Sequence, residues 1–230
     1  MRKIHTGRLV AAVVVLAALL AGAVYYLRHM SERKPVIAVD AGHDDSQPGF
    51  EGYIREADYS LDVARQLYTL LYDDLRFDVI MVRSDGENLN VQERAARIDA
   101  AHADIVISIH ANASSDPSFS GIRVAVKPGS KPAREMGEAV SRVFEASGIS
   151  CPVGYEYYAE SPNGAFEMQF MEEEGEGRLP ALMGASNTPS IIYEGLYVTS
   201  PADVEQYASE EGVRNTAHLL YEAVKEVYSK

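Results

Sequence analysis

Two histidines follow short apolar runs. Val36-Ile37-Ala38-Val39 leads through Asp40-Ala41-Gly42 to His43, and Ile105-Val106-Ile107-Ser108-Ile109 leads to His110-Ala111-Asn112. Such runs, bounded by polar residues, read as buried strands. In an open α/β sheet, ligands bind beyond the carboxyl ends of the strands. Two imidazoles and a carboxylate brought together there make a zinc site with one position left open. Glu56 is the candidate carboxylate, placed where the loop after His43 turns into a helix. The competing reading, equally weighted by spacing alone, is that Glu56 only complements the helix N-terminus. Asp40 and Asn112 are candidates for orienting the imidazoles. A further carboxylate, Glu194, ends the apolar run Ser190-Ile191-Ile192-Tyr193. Burying a carboxylate is costly unless it is paired or functional, and the position suits a general base beside a metal. An ion pair to Arg83 or Arg94 is the competing reading. His5, His29, His102 and His218 read as solvated or structural.

The elements that position these groups alternate along the chain. The strand before His43 is followed by a polar loop, then by apolar residues at helical spacing within residues 57–75. Phe77–Val82 reads as a strand. Asn90 and Glu93 form a capping-box pattern that opens a helix to about Ala101. The His110 strand, a strand over Gly121–Val126 and a helix over Ala133–Ser147 follow. Residues 150–178 show the least regularity. A strand over Ser190–Glu194 and a helix over Gly212–Tyr228 close the chain. This order predicts an α/β fold: a single twisted, mostly parallel or mixed sheet with helices on both faces, preceded by an N-terminal transmembrane helix.

Residues 1–8 form a short basic tail, and the apolar run Leu9–Leu27, closed by Arg28, is near the length a helix needs to span a bilayer. We expect a single-pass anchor over 9–28, a linker over 29–34 and an exported domain over 35–230. Cleavage as a secretory signal, with the domain released, is the alternative. The net charge is −13 for the chain and +5 for residues 1–34, which leaves −18 for the remainder. So acidic a body repels phosphate backbones, which excludes nucleic acid as a partner. The single cysteine, Cys151, cannot form an internal disulfide or build a thiolate metal site alone, and reads as an inert thiol.

In order, Val39-Asp40-Ala41-Gly42-His43, Arg55-Glu56, Ser108-Ile109-His110-Ala111-Asn112 and Pro189-Ser190-Ile191-Ile192-Tyr193-Glu194-Gly195 resemble the motifs of the zinc-dependent N-acetylmuramoyl-L-alanine amidases of the amidase 3 type. Arg83 and Gln92-Glu93-Arg94 also fit, and the likeness covers about residues 35–228. It implies one Zn²⁺ held by His43, Glu56 and His110, Glu194 as catalytic base, and Asp40, Asn112 and Arg94 as supporting or substrate-contacting groups. It implies peptidoglycan as substrate, cut at the amide between N-acetylmuramic acid and L-alanine, outside a bacterial cell membrane. The chain departs from the motif at Asp44-Asp45, where glycines are usual, and after Glu194-Gly195. Its acidic run Glu172-Glu173-Glu174, with Glu176, motivates two other readings. In one, a glutamate from this loop plugs the site until a protein partner moves it. In the other, the domain is an inactive wall-binding module. A zinc amidohydrolase acting on another exported amide is a further alternative.

Overall fold

The computed structural model describes residues 6–31, 33–160 and 166–228, with side chains over 12–24, 33–158 and 168–228. It divides into two units, residues 1–34 and 35–230. The first unit holds one helix, α1 (Thr6–Ser31), where the anchor was expected. Its described side chains, 12–24, are small or apolar and exposed. At about 1.5 Å per residue that stretch reaches about 20 Å, short of a hydrocarbon core of about 30 Å. Among the described residues no helix is long and apolar enough to cross a membrane. The rest of the expected span, 9–11 and 25–28, lies outside the described side chains.

The second unit is a seven-stranded mixed sheet. Its strands are β1 (Val36–Ala41), β2 (Asp78–Met81), β3 (Ile105–Asn112), β4 (Arg123–Val126), β5 (Val153–Glu160), β6 (Phe166–Met171) and β7 (Ser190–Tyr197). The order is β2-β1-β3-β7-β4-β5-β6. The first four in that order are parallel, β4 is antiparallel to β7, β5 is parallel to β4, and β6 is antiparallel to β5. The central strands β1, β3 and β7 are buried on both faces, which is why they read as continuous apolar runs rather than alternations. The helices of this unit are α2 (Glu56–Asp73), α3 (Val91–Ala100), α4 (Lys131–Ala146), α5 (Ala181–Ala185), α6 (Pro201–Tyr207) and α7 (Glu210–Tyr228). The capping box of α3 forms as expected: Glu93 N–H donates to the Asn90 side chain at 3.0 Å, and Asn90 N–H donates to the Glu93 carboxylate at 2.8 Å.

The two faces of the sheet are covered unequally. Alternate residues Ile37, Val39, Ile105, Ile107, Ile109, Val124, Val126, Ile191 and Tyr193 pack in one large core that also takes in α2, α4 and α7. The opposite face carries Ala38 and Val106 under α3, and Ala125 and Ile192 under Met183 of α5. Because α3 and α5 are short, they cover only part of that face. Continuing along the same strands with period two, this face then presents Asp40, Ser108, His110, Arg123 and Glu194. The register places His110 and Arg123 on either side of Glu194.

Two expectations need correction. His110 and Glu194 do not end their strands. β3 and β7 run on to Asn112 and Tyr197, so both side chains stand on the uncovered part of a sheet face rather than beyond an edge. Within 150–178, where the sequence shows least regularity, residues 153–160 and 166–171 form the antiparallel pair β5 and β6. Tyr155 and Tyr157 join the main core while Gly154, Glu156 and Tyr158 face the other way.

Asp44 is a loop organiser rather than a metal ligand. It is buried, and its carboxylate accepts from Ser46 N, Ser46 Oγ, Gln47 N and Leu89 N. Arg94 also reaches it. Burial alone raises its pKa, but these hydrogen bonds outweigh that and lower it to about 2. The folded-state pKa lies below the unfolded value. The stabilisation is therefore complete above pH of about 4 and lost as pH falls toward 2, amounting to about 2 kcal/mol. Asp44→Asn is expected to lower unfolding stability by about 1–3 kcal/mol at neutral pH. In urea titrations the gap to wild type should close between pH 4 and pH 2; a gap that stays constant over that range would contradict this role. Asp45 is exposed and pairs with Arg55 at 3.2 Å.

Candidate active site

His43, Glu56 and His110 converge. One ligand atom from each lies within 4.8 Å of the other two. Glu56 Oε1 is 3.2 Å from His43 Nε2 and 2.9 Å from His110 Nδ1. The imidazoles meet edge to face, with centroids 5.1 Å apart. Glu56 opens α2, and its carboxylate is turned to the two histidines. Two backbone amides aim it there. Phe50 N–H donates to Oε2 at 2.9 Å, and Ala111 N–H donates to Oε1 at 3.1 Å. Burial pushes the Glu56 carboxyl up, but its bonds to His110 and His43 prevail and hold it well below the usual carboxylate range. Burial lowers the His110 pKa, but contact with Glu56 prevails and raises it to about 9. The field that keeps a proton on His110 attracts any cation placed among the three. Two imidazole nitrogens and one carboxylate are a zinc donor set, so the residues present fit that ion.

Glycine makes the room. A Cβ on Gly42 would lie 2.5 Å from His110 Cε1. One on Gly49, whose φ is +73°, would meet the Glu56 carboxylate and lie 2.8 Å from the His43 ring. His43 itself has φ of 58°, an uncommon left-handed conformation for a side-chain-bearing residue. Arg94 pins that backbone. Its guanidinium donates to Ala41 O at 2.6 Å, to His43 O, and to the Asp40 carboxylate at 2.8 Å.

The supporting roles expected of Asp40 and Asn112 differ from what is seen. Asp40 bonds Arg94 and Ser108 Oγ rather than an imidazole. It acts on His43 through Arg94, because a buried carboxylate two residues before the turn is best satisfied by a buried guanidinium. Asn112 Oδ1 accepts from Arg123 at 2.8 Å, past the bulge that shifts the β3–β7 register between His110 and Asn112.

Glu194 is 3% exposed. Neither Arg83 nor Arg94 pairs with it. Arg83 donates to the carbonyls of Ala41, Gly42 and Ala57, and Arg94 is occupied as described. Glu194 Oε2 is buried without a hydrogen-bond partner, as is Oε2 of Glu156 on β5. Burial, then the Glu156 carboxylate, raises the Glu194 pKa to about 8. Arg123 holds Glu156 at 3.2 Å. Arg123 and Glu156 escaped the sequence reading. The signal was present, since Tyr155-Glu156-Tyr157-Tyr158 carries the alternation of a half-buried strand, but three tyrosines in four residues mask it.

These groups line a groove of about 1390 Å³, whose walls include Phe50, Phe119, Tyr158, Met168 and Arg178. None of Glu172, Glu173, Glu174 or Glu176 lines it, and all four are exposed. The alternative in which a glutamate of this run plugs the site is therefore not what the structure shows among the described residues. Charged side chains within five residues of one another favour solvent over a low-dielectric cleft. Cys151 is buried away from the groove and burial raises its pKa to about 12, as befits an inert thiol.

Residues 37–226 match the family model described as N-acetylmuramoyl-L-alanine amidase. The N-acetylmuramoyl-L-alanine amidase AmiC of Neisseria meningitidis is 34% identical over 99 residues, 42% of this chain and 24% of that protein. The chain spans less than half the length of the curated relatives it matches. Among solved structures, the amidase AmiC2 of Nostoc punctiforme superposes with a TM-score of 0.68 at 18% identity, covering 86% of this chain and 99% of that one. The CwlD amidase from Clostridioides difficile, in complex with the GerS lipoprotein, gives 0.67 at 18% identity, covering 85% and 98%. At that identity the two structures speak for the fold.

Proposed function

The chain belongs to the N-acetylmuramoyl-L-alanine amidase family, and on that premise we propose that it hydrolyses the amide between N-acetylmuramic acid and the L-alanine of peptidoglycan stem peptides. The observation that carries this reading is the pairing, in one groove, of a His43–Glu56–His110 cluster with the buried, unpartnered carboxylate of Glu194. Zinc, held by the three ligands, would supply Lewis-acid activation of water and of the amide carbonyl. The remaining work falls to this chain's own residues. Glu194 accepts a proton from the attacking water at its free carboxylate oxygen and returns it to the departing amine. A pKa lifted by burial suits both halves of that exchange, because the best proton shuttle has a pKa near the working pH. The uncovered sheet face gives a polymer access that a closed cavity would deny.

The same reading places the domain outside the cell membrane, with residues 9–28 as the anchor. Because CwlD is described in complex with a lipoprotein, a protein partner is part of the proposal. The test is product analysis on purified peptidoglycan. Free L-alanine amino termini and unshortened glycan are expected, with release abolished by a zinc chelator and restored by added zinc. New reducing sugar ends without amino termini would overturn the assignment.

A further inference from the structure

Three arginines line the groove: Arg94, Arg123 and Arg178. Two are spoken for. Arg94 is bound to Asp40, Asp44 and three carbonyls. Arg123 is bound to Glu156, Asn112 and Tyr197, and lies over the Phe170 ring. Arg178 differs. Its side chain is exposed and makes no ion pair or hydrogen bond among the described residues. Its backbone is nonetheless fixed, since Tyr158 N–H donates to Arg178 O at 2.7 Å and the two residues form a β-bridge. Tyr158 faces the groove from β5, and its hydroxyl feels the charges of Arg178, Glu194, Glu156 and Glu56. Arg178, Tyr158 and Glu194 thus line the same groove, with Arg178 and Tyr158 side by side on its wall. In a body of strongly negative charge, a cation left without a counter-ion among the described residues on a groove wall calls for an anion from outside.

We propose that Arg178, with the Tyr158 hydroxyl, is a subsite for a carboxylate of the substrate, on the peptide side of the scissile amide. The assignment of side follows from the chemistry of the two arms. The glycan arm offers hydroxyl and acetamido groups and no charge, whereas the peptide arm carries carboxylates. A planar guanidinium matches a carboxylate with two parallel hydrogen bonds, and a tyrosine hydroxyl adds a third donor. The inference rests on the amidase reading, and it deepens that reading by making the enzyme selective for an acidic over an amidated stem peptide.

The experiment uses two peptidoglycan substrates identical but for one group. The α-carboxylate of the second stem-peptide residue is free in one and amidated in the other. Affinities are read by direct titration on the inactive Glu194→Gln background, and hydrolysis is read separately with the wild-type residue at 194. Tighter binding of the free acid by about 10- to 100-fold is expected, the range of a charge-assisted hydrogen-bond pair. Adding Arg178→Gln is expected to bring the two affinities within about twofold, and Arg178→Lys to keep part of the difference. Equal binding of the two substrates, or a preference that survives Arg178→Gln, overturns the subsite. An Arg178-dependent preference without any hydrolysis would support the subsite while overturning the amidase reading, so the two failures are distinguishable.

Discussion

Glu194→Gln is expected to lower kcat on peptidoglycan by about 10²- to 10⁴-fold, the usual contribution of a positioned general base. Zinc per chain should remain that of wild type, since Glu194 is not among the three clustered ligands. Glutamine keeps the shape and removes the proton-accepting oxygen, so the loss reports chemistry rather than packing. A second readout separates this from misfolding. The folded-state pKa of Glu194, about 8, is raised above its ordinary 4.5. The native state then holds a proton that the unfolded chain releases, so this carboxyl costs stability progressively as pH rises from about 4.5 to 8. The variant carries no such cost, and its stability relative to wild type should grow across that window. Peptide release at the wild-type rate would remove Glu194 from the mechanism.

Glu56→Ala is the second large effect, and it acts on metal and fold together. Removing one of the three proposed ligands is expected to weaken zinc affinity by about 100-fold or more, given that even supporting groups around a metal are worth about 10- to 100-fold in affinity. It also strips the acceptor from Phe50 N–H and Ala111 N–H. A buried donor left without a partner costs about 1–3 kcal/mol, so the melting temperature of the metal-free variant should fall below that of metal-free wild type. Measuring zinc content and thermal unfolding on dialysed protein checks both. Retention of stoichiometric zinc would remove Glu56 from the ligand set. Loss of zinc with unchanged stability of the metal-free protein would show that the two amides do not depend on it.

Much of this site is written in local pattern. β1, β3 and β7 stand out because strands buried on both faces are continuously apolar, and polar residues following such runs are conspicuous. The N-terminus of α3 is legible because Asn90 and Glu93 satisfy each other within four residues. Glu56 was visible as a helix-first carboxylate, but its direction was not, because direction comes from the amides of Phe50 and Ala111 and from the space at Gly42 and Gly49. Which side of the sheet would be open was equally hidden. It depends on α3 and α5 being short while α2, α4 and α7 are long, a comparison made only once the strands are ordered. Arg123 and Glu156 meet across two strands separated in sequence by a helix, and no local spacing encodes that. Asp44 stands out in sequence only as a departure from the usual glycines, and its role in tying down the loop comes from bonds to Ser46, Gln47 and the distant Leu89.

The place of β7 has a consequence for how the enzyme comes into being. Strand order β2-β1-β3-β7-β4-β5-β6 puts the last strand made between two that are made much earlier. Until residues 190–197 emerge and insert, β3 and β4 have no partner in common, the sheet is two separate pieces, and the proposed general base, Glu194, is missing altogether. Synthesis from the N-terminus delivers the proposed metal ligands first and the proposed proton acceptor last, and insertion between distant strands is a slow, non-local step. On the proposed reading, a chain cut short anywhere before β7 carries the three clustered ligand candidates and lacks Glu194. For a protein proposed to cut the wall that encloses its own cell, completion of the polypeptide is itself the safety catch.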